Sequence, residues 1–189
     1  MLVLVRHGQT DANARGLLLG RADPPLSDLG RRQAAALAAC IPADARVVAS
    51  PLQRTRETAA AFDRPVEIDE RWIELDYGTF DGQPVADVPA DVWREWRADP
   101  HYIPGGGESL VMLGNRVRAA CEELLDEARD RDVVIVSHVS PIKAAIGWAL
   151  GTGDEVGWRL FVRVASIARV AIGPWGPSLL SFNEEPDLS

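Results

Sequence analysis

Residues 2–10 read LVLVRHGQT, four apolar residues that run directly into Arg6-His7-Gly8. An unbroken apolar run with two valines describes a strand buried on both faces, as in a parallel sheet covered by helices. Open sheets of that kind carry their chemistry in the crevice outside the carboxyl ends of their strands. Arg6 and His7 stand at such an end, with Gly8 turning the chain away.

Outward from that strand, apolar runs alternate with helical patterns, the signature of βαβ units. Ser27 is placed to cap a helix over residues 28–40. Arg46–Ala49 reads as the second strand, Ser50-Pro51 opens a helix to about residue 62, and Val66–Ile68 is a short third strand followed by a loop over 72–82. Residues 83–107 change texture. Their prolines, acids and an apolar set at Val88, Val92, Trp93 and Trp96 fit one small amphipathic helix in a lid insertion. A long helix is expected over 109–129, a buried β-branched strand over 133–136, and a helix from Pro141 to about residue 150. Strands near 162–172 and 178–182 flank a hairpin turn at 173–177. The expected fold is α/β, a three-layer α/β/α sandwich. Residues 1–189 form a single domain, its sheet mostly parallel with an antiparallel strand at the edge.

The chain of 189 residues is 47% apolar and 25% charged, with a net charge of −8. That balance argues against a nucleic-acid binder or a basic membrane-surface protein, either of which needs a cationic face. No run approaches the roughly 20 apolar residues of a membrane helix. The amino terminus lacks the basic lead of a secretory signal. Cys40 and Cys121 sit in apolar helical patterns and read as buried thiols, so a cytoplasmic setting is expected. Lys143 is the only lysine. Any anionic ligand therefore needs a local cluster of cations.

One such cluster is legible. Arg6-His7 ends the first strand, Ser50-Pro51-Leu52-Gln53-Arg54 follows the second, and Ser137-His138 follows the strand at 133–136. Parallel strands bring these segments to one edge of the sheet. Two imidazoles and two guanidiniums meeting there form an anion site. Phosphate fits it best, because a planar guanidinium offers paired hydrogen bonds to its oxygens. The histidines and carboxylates show no metal-ligand spacing, and neither metal nor cofactor is called for.

The ordered motifs carry a resemblance. Arg6-His7-Gly8-Gln9-Thr10 with Asn13, Leu26-Ser27-Asp28-Leu29-Gly30, Ser50-Pro51-Leu52-Gln53-Arg54 with Thr58-Ala59, Glu74-Leu75-Asp76-Tyr77-Gly78, Gly106-Gly107-Glu108-Ser109 and Val136-Ser137-His138 stand in the order of the histidine phosphatase superfamily. The chain resembles that superfamily's phosphoglycerate-mutase-like enzymes from residue 3 to about residue 150. The resemblance implies a phosphoglycerate-mutase-like fold. It also implies that His7 is a nucleophile forming a phosphohistidine, with its tautomer fixed by a nearby backbone carbonyl. By the same resemblance Arg6, Arg54, His138 and Asn13 hold the phosphate oxygens, and Glu74 serves as acid and then base. Two departures bear on the substrate. Val139-Ser140 replaces the usual glycine after the second histidine, which brings in a Ser140 hydroxyl. Leu17-Leu18-Leu19 makes the approach to Gly20 apolar, so that Gly20, Arg21 and Ser140 become candidate substrate-binding residues, Arg21 reaching for a carboxylate or second anion.

Blander readings compete at each position. Arg54 has an alternative as a surface arginine paired with Glu57, and Arg56 is the better solvated candidate. Glu74 has rivals in Asp76 and Glu70. Trp93 and Trp96 read as core, His101 as surface, and the Gly105–Gly107 run as a hinge. The function that results is a metal-independent phosphatase acting on a small phosphorylated metabolite. Phosphoglycerate mutase is the enzymatic alternative, although the insertion at 83–107 is slight for sealing a phosphoenzyme from water. A non-catalytic phosphate- or phosphoprotein-binding module is the other alternative, one that needs the arginines but neither His7 nor Glu74. The final hairpin offers an edge for pairing in a homodimer, and the same pattern fits a capped edge in a monomer.

Overall fold

The apolar runs become strands of one sheet: β1 (Leu2–Arg6), β2 (Arg46–Ala49), β3 (Val66–Ile68), β4 (Val133–Ser137), β5 (Ile167–Gly173) and β6 (Gly176–Glu184). Their order is β3-β2-β4-β1-β5-β6 in the computed structural model, which describes residues 1–188. The helices are α1 (Asp11–Ala14), α2 (Asp28–Ala38), α3 (Gln53–Ala60), α4 (Ala90–Ala98), α5 (Leu110–Glu123), α6 (Leu125–Asp130) and α7 (Val139–Ala149).

Alternation along the central strands sorts the core into two layers. Leu2, Leu4, Val133 and Ile135 face Leu113, Val117, Ile142 and Ile146 of α5 and α7. Val3, Val5, Val134 and Val136 face the other way, toward Leu37 of α2 and Ala59 of α3. Each such fully buried aliphatic side chain contributes about 1.5–3 kcal/mol relative to exposure. The central strands are thus anchored from both sides, and their carboxyl ends are rigid platforms.

The strand directions correct one expectation. β1, β2, β3 and β4 are parallel, and β5 pairs antiparallel with both β1 and β6. The antiparallel strand is therefore β5, one in from the edge. β6 at the edge turns back through a tight hairpin at Pro174-Trp175 and runs with the parallel set.

Other boundaries moved for identifiable reasons. β5 begins at Ile167 because Ala165 takes a left-handed backbone (φ 52°) within a turn at residues 164–165. α3 starts at Gln53, leaving Ser50-Pro51-Leu52 as an extended entry. α7 starts at Val139, two residues early, with extended His138 as its N-cap (φ −126°). Because no left-handed conformation is required there, a β-branched residue fits where a glycine was usual. The expected helix over 109–129 is interrupted at Leu124, where α5 ends and α6 begins.

Residues 83–107 carry the expected amphipathic helix as α4. Trp96 on it is buried. The segment is tied down by backbone hydrogen bonds from Leu18 N–H to the Gln83 carbonyl (2.8 Å) and from Val85 N–H to the Gly16 carbonyl (3.0 Å). The glycine run at its end packs rather than hinges. A Cβ at Gly107 would lie 2.1 Å from the Asp76 carbonyl, and one at Gly78 would lie 2.1 Å from the Gly105 carbonyl. Cys121 is buried and Cys40 is half-buried, and both are free thiols. Among the described residues no helix is long and apolar enough to cross a membrane.

Candidate active site

β1 delivers Arg6 and His7 to the sheet's carboxyl edge, and β4 delivers Ser137 and His138 beside them, with the His7 N–H donating to the Ser137 carbonyl at 3.1 Å. Gly8 follows for a reason other than turning. It has no left-handed backbone; instead a Cβ on it would lie 2.4 Å from the Gly30 carbonyl, and a Cβ on Gly30 would lie 2.0 Å from the Gln9 carbonyl. The loop after β1 and the first turn of α2 are pressed backbone to backbone. Ser27 fastens the same seam, accepting from Gly30 N–H (3.1 Å) and donating to the Gln9 carbonyl (3.1 Å).

The His7 ring is buried, 3% exposed. Its Nδ1–H donates to the Gly8 carbonyl at 2.7 Å. A carbonyl accepts only, so the proton sits on Nδ1 and Nε2 keeps a free lone pair. Burial first, then the Arg54 and Arg6 charges, hold the imidazole's pKa well below its usual value. His7 is thus neutral at physiological pH.

His138 is neutral for the same leading reason, burial, followed by the charge of Arg54. Its ring lies 5.1 Å from that of His7, nearly edge-on. Arg54 Nε–H donates to His138 Nδ1 (3.2 Å), which fixes the proton on Nε2, and Nε2–H donates to Ser50 Oγ (2.7 Å). Both nitrogens of the second histidine are therefore held by protein, and phosphate contact through it requires Nε2–H to be shared with Ser50.

Arg54 is fully buried, which removes the surface reading, while Arg56 is exposed. Glu57 serves elsewhere, accepting from Leu26 N–H and from Gln53 Nε2–H. The Arg54 Nη1 and Nη2 groups donate to the carbonyls of Ala22 and Gly20, each at 2.8 Å. Arg6 donates from Nη1 to the Val162 carbonyl (2.7 Å), and its buried Nε has no protein partner. Burial lowers the Arg6 pKa to about 10.

Asn13 closes a capping box with Thr10, its Oδ1 accepting from the Thr10 N–H (3.1 Å) and hydroxyl (3.0 Å). The amide NH2 is left as the end that can face an anion. The short helix α1 that carries it went unanticipated.

Glu74 is buried, 3% exposed, where α7 begins. Its carboxylate accepts from Leu75 N–H (2.7 Å) and Ser140 N–H (3.2 and 3.4 Å), and its carbonyl accepts from Arg116 (3.3 Å). The Glu74 charge acts on both Arg6 and Arg54. The rivals are elsewhere: Asp76 caps its own turn at Gly78 N–H, and Glu70 belongs to the 3₁₀ turn before the loop.

The three candidate substrate residues divide. Gly20 has its N–H on Asp81 and its carbonyl on Arg54, so its backbone organises the site. The carboxylate Arg21 reaches is Glu108 of the protein itself (3.6 Å). Ser140 borders a cavity behind Glu74, its hydroxyl 3.3 Å from that of Tyr77. The same cavity is bordered by Trp93 and Trp96, so these rings pack against the core and wall an opening at once. His101 is exposed. Among the described residues no group of three or more His, Cys, Asp or Glu is arranged to hold a metal.

Sequence reading missed two participants. Ser50 stood in a motif but had no role, and Asp81 was passed over as one acid in a loop. Asp81 Oδ1 accepts from Gly20 N–H (2.8 Å), and Oδ2 accepts from Arg21 (2.9 Å) and Ala22 N–H (2.8 Å). Its position at 81, seven residues past Glu74 in the same loop, was the only available signal.

Known proteins resemble the chain over most of its length. A bifunctional protein of Mycobacterium tuberculosis is 34% identical over 177 residues, 88% of this chain and 49% of that protein, so the chain spans about half its length. Phosphoserine phosphatase 1 of Hydrogenobacter thermophilus is 36% identical over 168 residues, 83% of this chain and 79% of its own. Among solved structures, mycobacterial glucosyl-3-phosphoglycerate phosphatase in complex with VO3 superposes with a TM-score of 0.87 at 32% identity, covering 97% of this chain and 98% of its own. The family model for branch 1 of the histidine phosphatase superfamily matches residues 2–185, β1 through β6, and the chain belongs to that family.

Proposed function

We propose that the protein is a phosphatase that hydrolyses small phosphate monoesters through a phosphohistidine at His7. The observation that carries the reading is a neutral imidazole anchored through Nδ1 to the Gly8 carbonyl, its Nε2 lone pair free, beside the buried Arg54 guanidinium and the half-buried Arg6. A phosphate binder has no need of that tautomer or of a buried Glu74. The relatives named above as phosphoserine and glucosyl-3-phosphoglycerate phosphatases support the same reading.

In this mechanism His7 Nε2 attacks phosphorus as the ester P–O bond breaks, and the departing alkoxide takes a proton from Glu74. Water then attacks the phosphohistidine, giving a proton to the Glu74 carboxylate as the P–N bond breaks and phosphate leaves. Arg6, Arg54, the Asn13 NH2 and the His138 Nε2–H hold the equatorial oxygens while charge redistributes. Residues 83–107 act as the lid on the leaving-group side. The proposal includes a cytoplasmic setting and pairing of two copies along β6, where Leu180 is exposed.

Acid-stopped and base-stopped reactions with a labelled aryl phosphate test it. Wild type should yield an acid-labile, base-stable phosphoenzyme, and His7→Ala should yield none while losing about 10⁴-fold or more in turnover. Turnover by His7→Ala near the wild-type rate overturns the reading.

A further inference from the structure

Behind Glu74 lies a cavity of about 170 Å³. Leu75 and Ser140, whose N–H groups hold the Glu74 carboxylate, form its wall on the catalytic side. The cavity and the Glu74 carboxylate thus share Leu75 and Ser140. Three indoles also line it: Trp93 and Trp96 are stacked at 5.3 Å, Trp158 stands edge-on to them at 6.2 and 5.3 Å, and the Arg97 guanidinium lies 5.2 Å from the Trp158 ring centre. Stacked and edge-on indoles offer flat apolar faces that suit a ring. The size is informative too, since an apolar cavity of about 150 Å³ accommodates benzene.

Into this apolar space projects Lys143, the chain's only lysine. It lies three residues beyond Ser140 on α7, on the same helix face. Its stem runs along Gly157, where a Cβ would touch it at 3.9 Å. Among the described residues no carboxylate makes a direct ion pair with its ammonium; the charges that act on it from a distance are those of Glu74, Arg6 and Arg97. Asp154 borders the same cavity, but both its oxygens are held by Arg118, at 2.6 and 3.2 Å. A half-buried cation with no direct partner in apolar surroundings attracts an anion that can touch it. Outside the phosphate site, Arg116 shows the usual arrangement, matched by Glu108 at 2.8 Å.

We infer that this cavity receives the leaving group, and that Lys143 selects phosphate monoesters whose alcohol is a single ring bearing a carboxylate. The inference rests on the phosphatase reading, because Glu74 defines the leaving side. It adds a specificity-determining residue that no motif marks. The three indoles take the ring and the ammonium takes the carboxylate, so neither a neutral ring nor a short open-chain carboxylate satisfies the whole cavity.

Two measurements test it separately from that reading. The first is kcat/KM for phenyl phosphate against 3- and 4-carboxyphenyl phosphate, in wild type, Lys143→Met and Lys143→Arg. Wild type should favour one carboxylated ester by about tenfold or more, expressed in KM, Lys143→Arg should retain a preference, and Lys143→Met should lose it. The second is binding of 3- and 4-hydroxybenzoate against phenol, with inorganic phosphate present, read by quenching of tryptophan fluorescence. Wild type should bind one hydroxybenzoate the tighter, and Lys143→Met should bind it no better than phenol. Equal preference in wild type and Lys143→Met in both measurements overturns the inference while leaving phosphohistidine chemistry standing. Lysine-dependent hydroxybenzoate binding without any ester hydrolysis supports the cavity's assignment and overturns the phosphatase reading instead.

Discussion

Replacing Asp81 by Asn should cripple catalysis although Asp81 touches neither His7 nor Glu74. Its carboxylate collects the N–H groups of Gly20, Arg21 and Ala22 at 2.8, 2.9 and 2.8 Å. The carbonyls of Gly20 and Ala22 in turn hold both terminal nitrogens of Arg54 at 2.8 Å. Asparagine keeps the shape but has one carbonyl oxygen, so its better flip retains the two bonds to Arg21 and Ala22 and sets an NH2 against the Gly20 N–H. One hydrogen bond to a charged acceptor is lost, about 1.5–3 kcal/mol, and the remaining two weaken from charged to neutral. Locally the cost is about 2–4 kcal/mol, enough for the loop to abandon its geometry. A displacement near 1 Å at a positioning group lowers the rate by about 10²-fold.

The expected result for Asp81→Asn is therefore a drop in kcat/KM of about 30- to 100-fold with an aryl phosphate, together with weaker inhibition by inorganic phosphate. A double-mutant cycle asks whether the effect passes through Arg54. Lysine at 54 has no two-armed grip on the carbonyls, so in an Arg54→Lys background Asp81→Asn should cost less than about threefold. An equal cost in both backgrounds refutes the chain of contacts described above.

Gly30→Ala should destabilise the protein by about 1–3 kcal/mol, because the new Cβ collides with the Gln9 carbonyl, whereas an unconstrained helical glycine gains about 1 kcal/mol on the same change. A raised urea midpoint sinks the argument. Burial, with Arg54 next in strength, holds both His7 and His138 well below the ordinary histidine range. As pH falls below about 6.5 the unfolded chain binds protons that the folded one refuses, so each histidine removes up to about 1.4 kcal/mol of stability per pH unit until its folded pKa is reached. Urea unfolding of wild type and His7→Gln at about pH 7.5 and 5.5 reads the difference, and identical slopes would count against it.

The parts legible in the sequence were those whose physics is local. β2 lies where its apolar and β-branched residues put it, because a strand between two helical layers can be little else, and the short edge strand β3 lies at its expected bounds too. Arg6, His7, Arg54 and His138 could be gathered from far apart because parallel strands deliver their ends to one edge. The unreadable parts depend on backbone groups. Val162 and Val164 continue the pattern of β5, yet Ala165 turns left-handed and the Val162 carbonyl is taken by Arg6. Nothing about an alanine announces that. Asp81 acts only on N–H groups that every residue possesses, so no pairing of side-chain types could reveal it. Gly8 was legible as necessary but misread as a corner, since close approach to Gly30 involves a residue 22 positions away.

The contacts of the arginines explain how a chain with net charge −8 offers a phosphate site at all. Arg46, Arg71, Arg116, Arg118 and Arg131 are each paired with carboxylates, their charges spent within the protein. Arg6 and Arg54 are oriented instead by neutral carbonyls, from Val162 in one case and Gly20 and Ala22 in the other. A carbonyl fixes the guanidinium without cancelling its charge. Holding two such cations in a buried place is unfavourable, and the lowered pKa values of both, with burial the leading cause, express that strain. A dianion entering between them relieves it. The acids whose charges act on them form no ion pair with either guanidinium, because their oxygens are taken by backbone N–H groups: Asp81 accepts from three, and Glu74 is turned to Leu75 and Ser140. The positive charge is thus preserved for the ligand by directing each nearby carboxylate to main-chain donors, which is why the site is local and the surface can remain acidic.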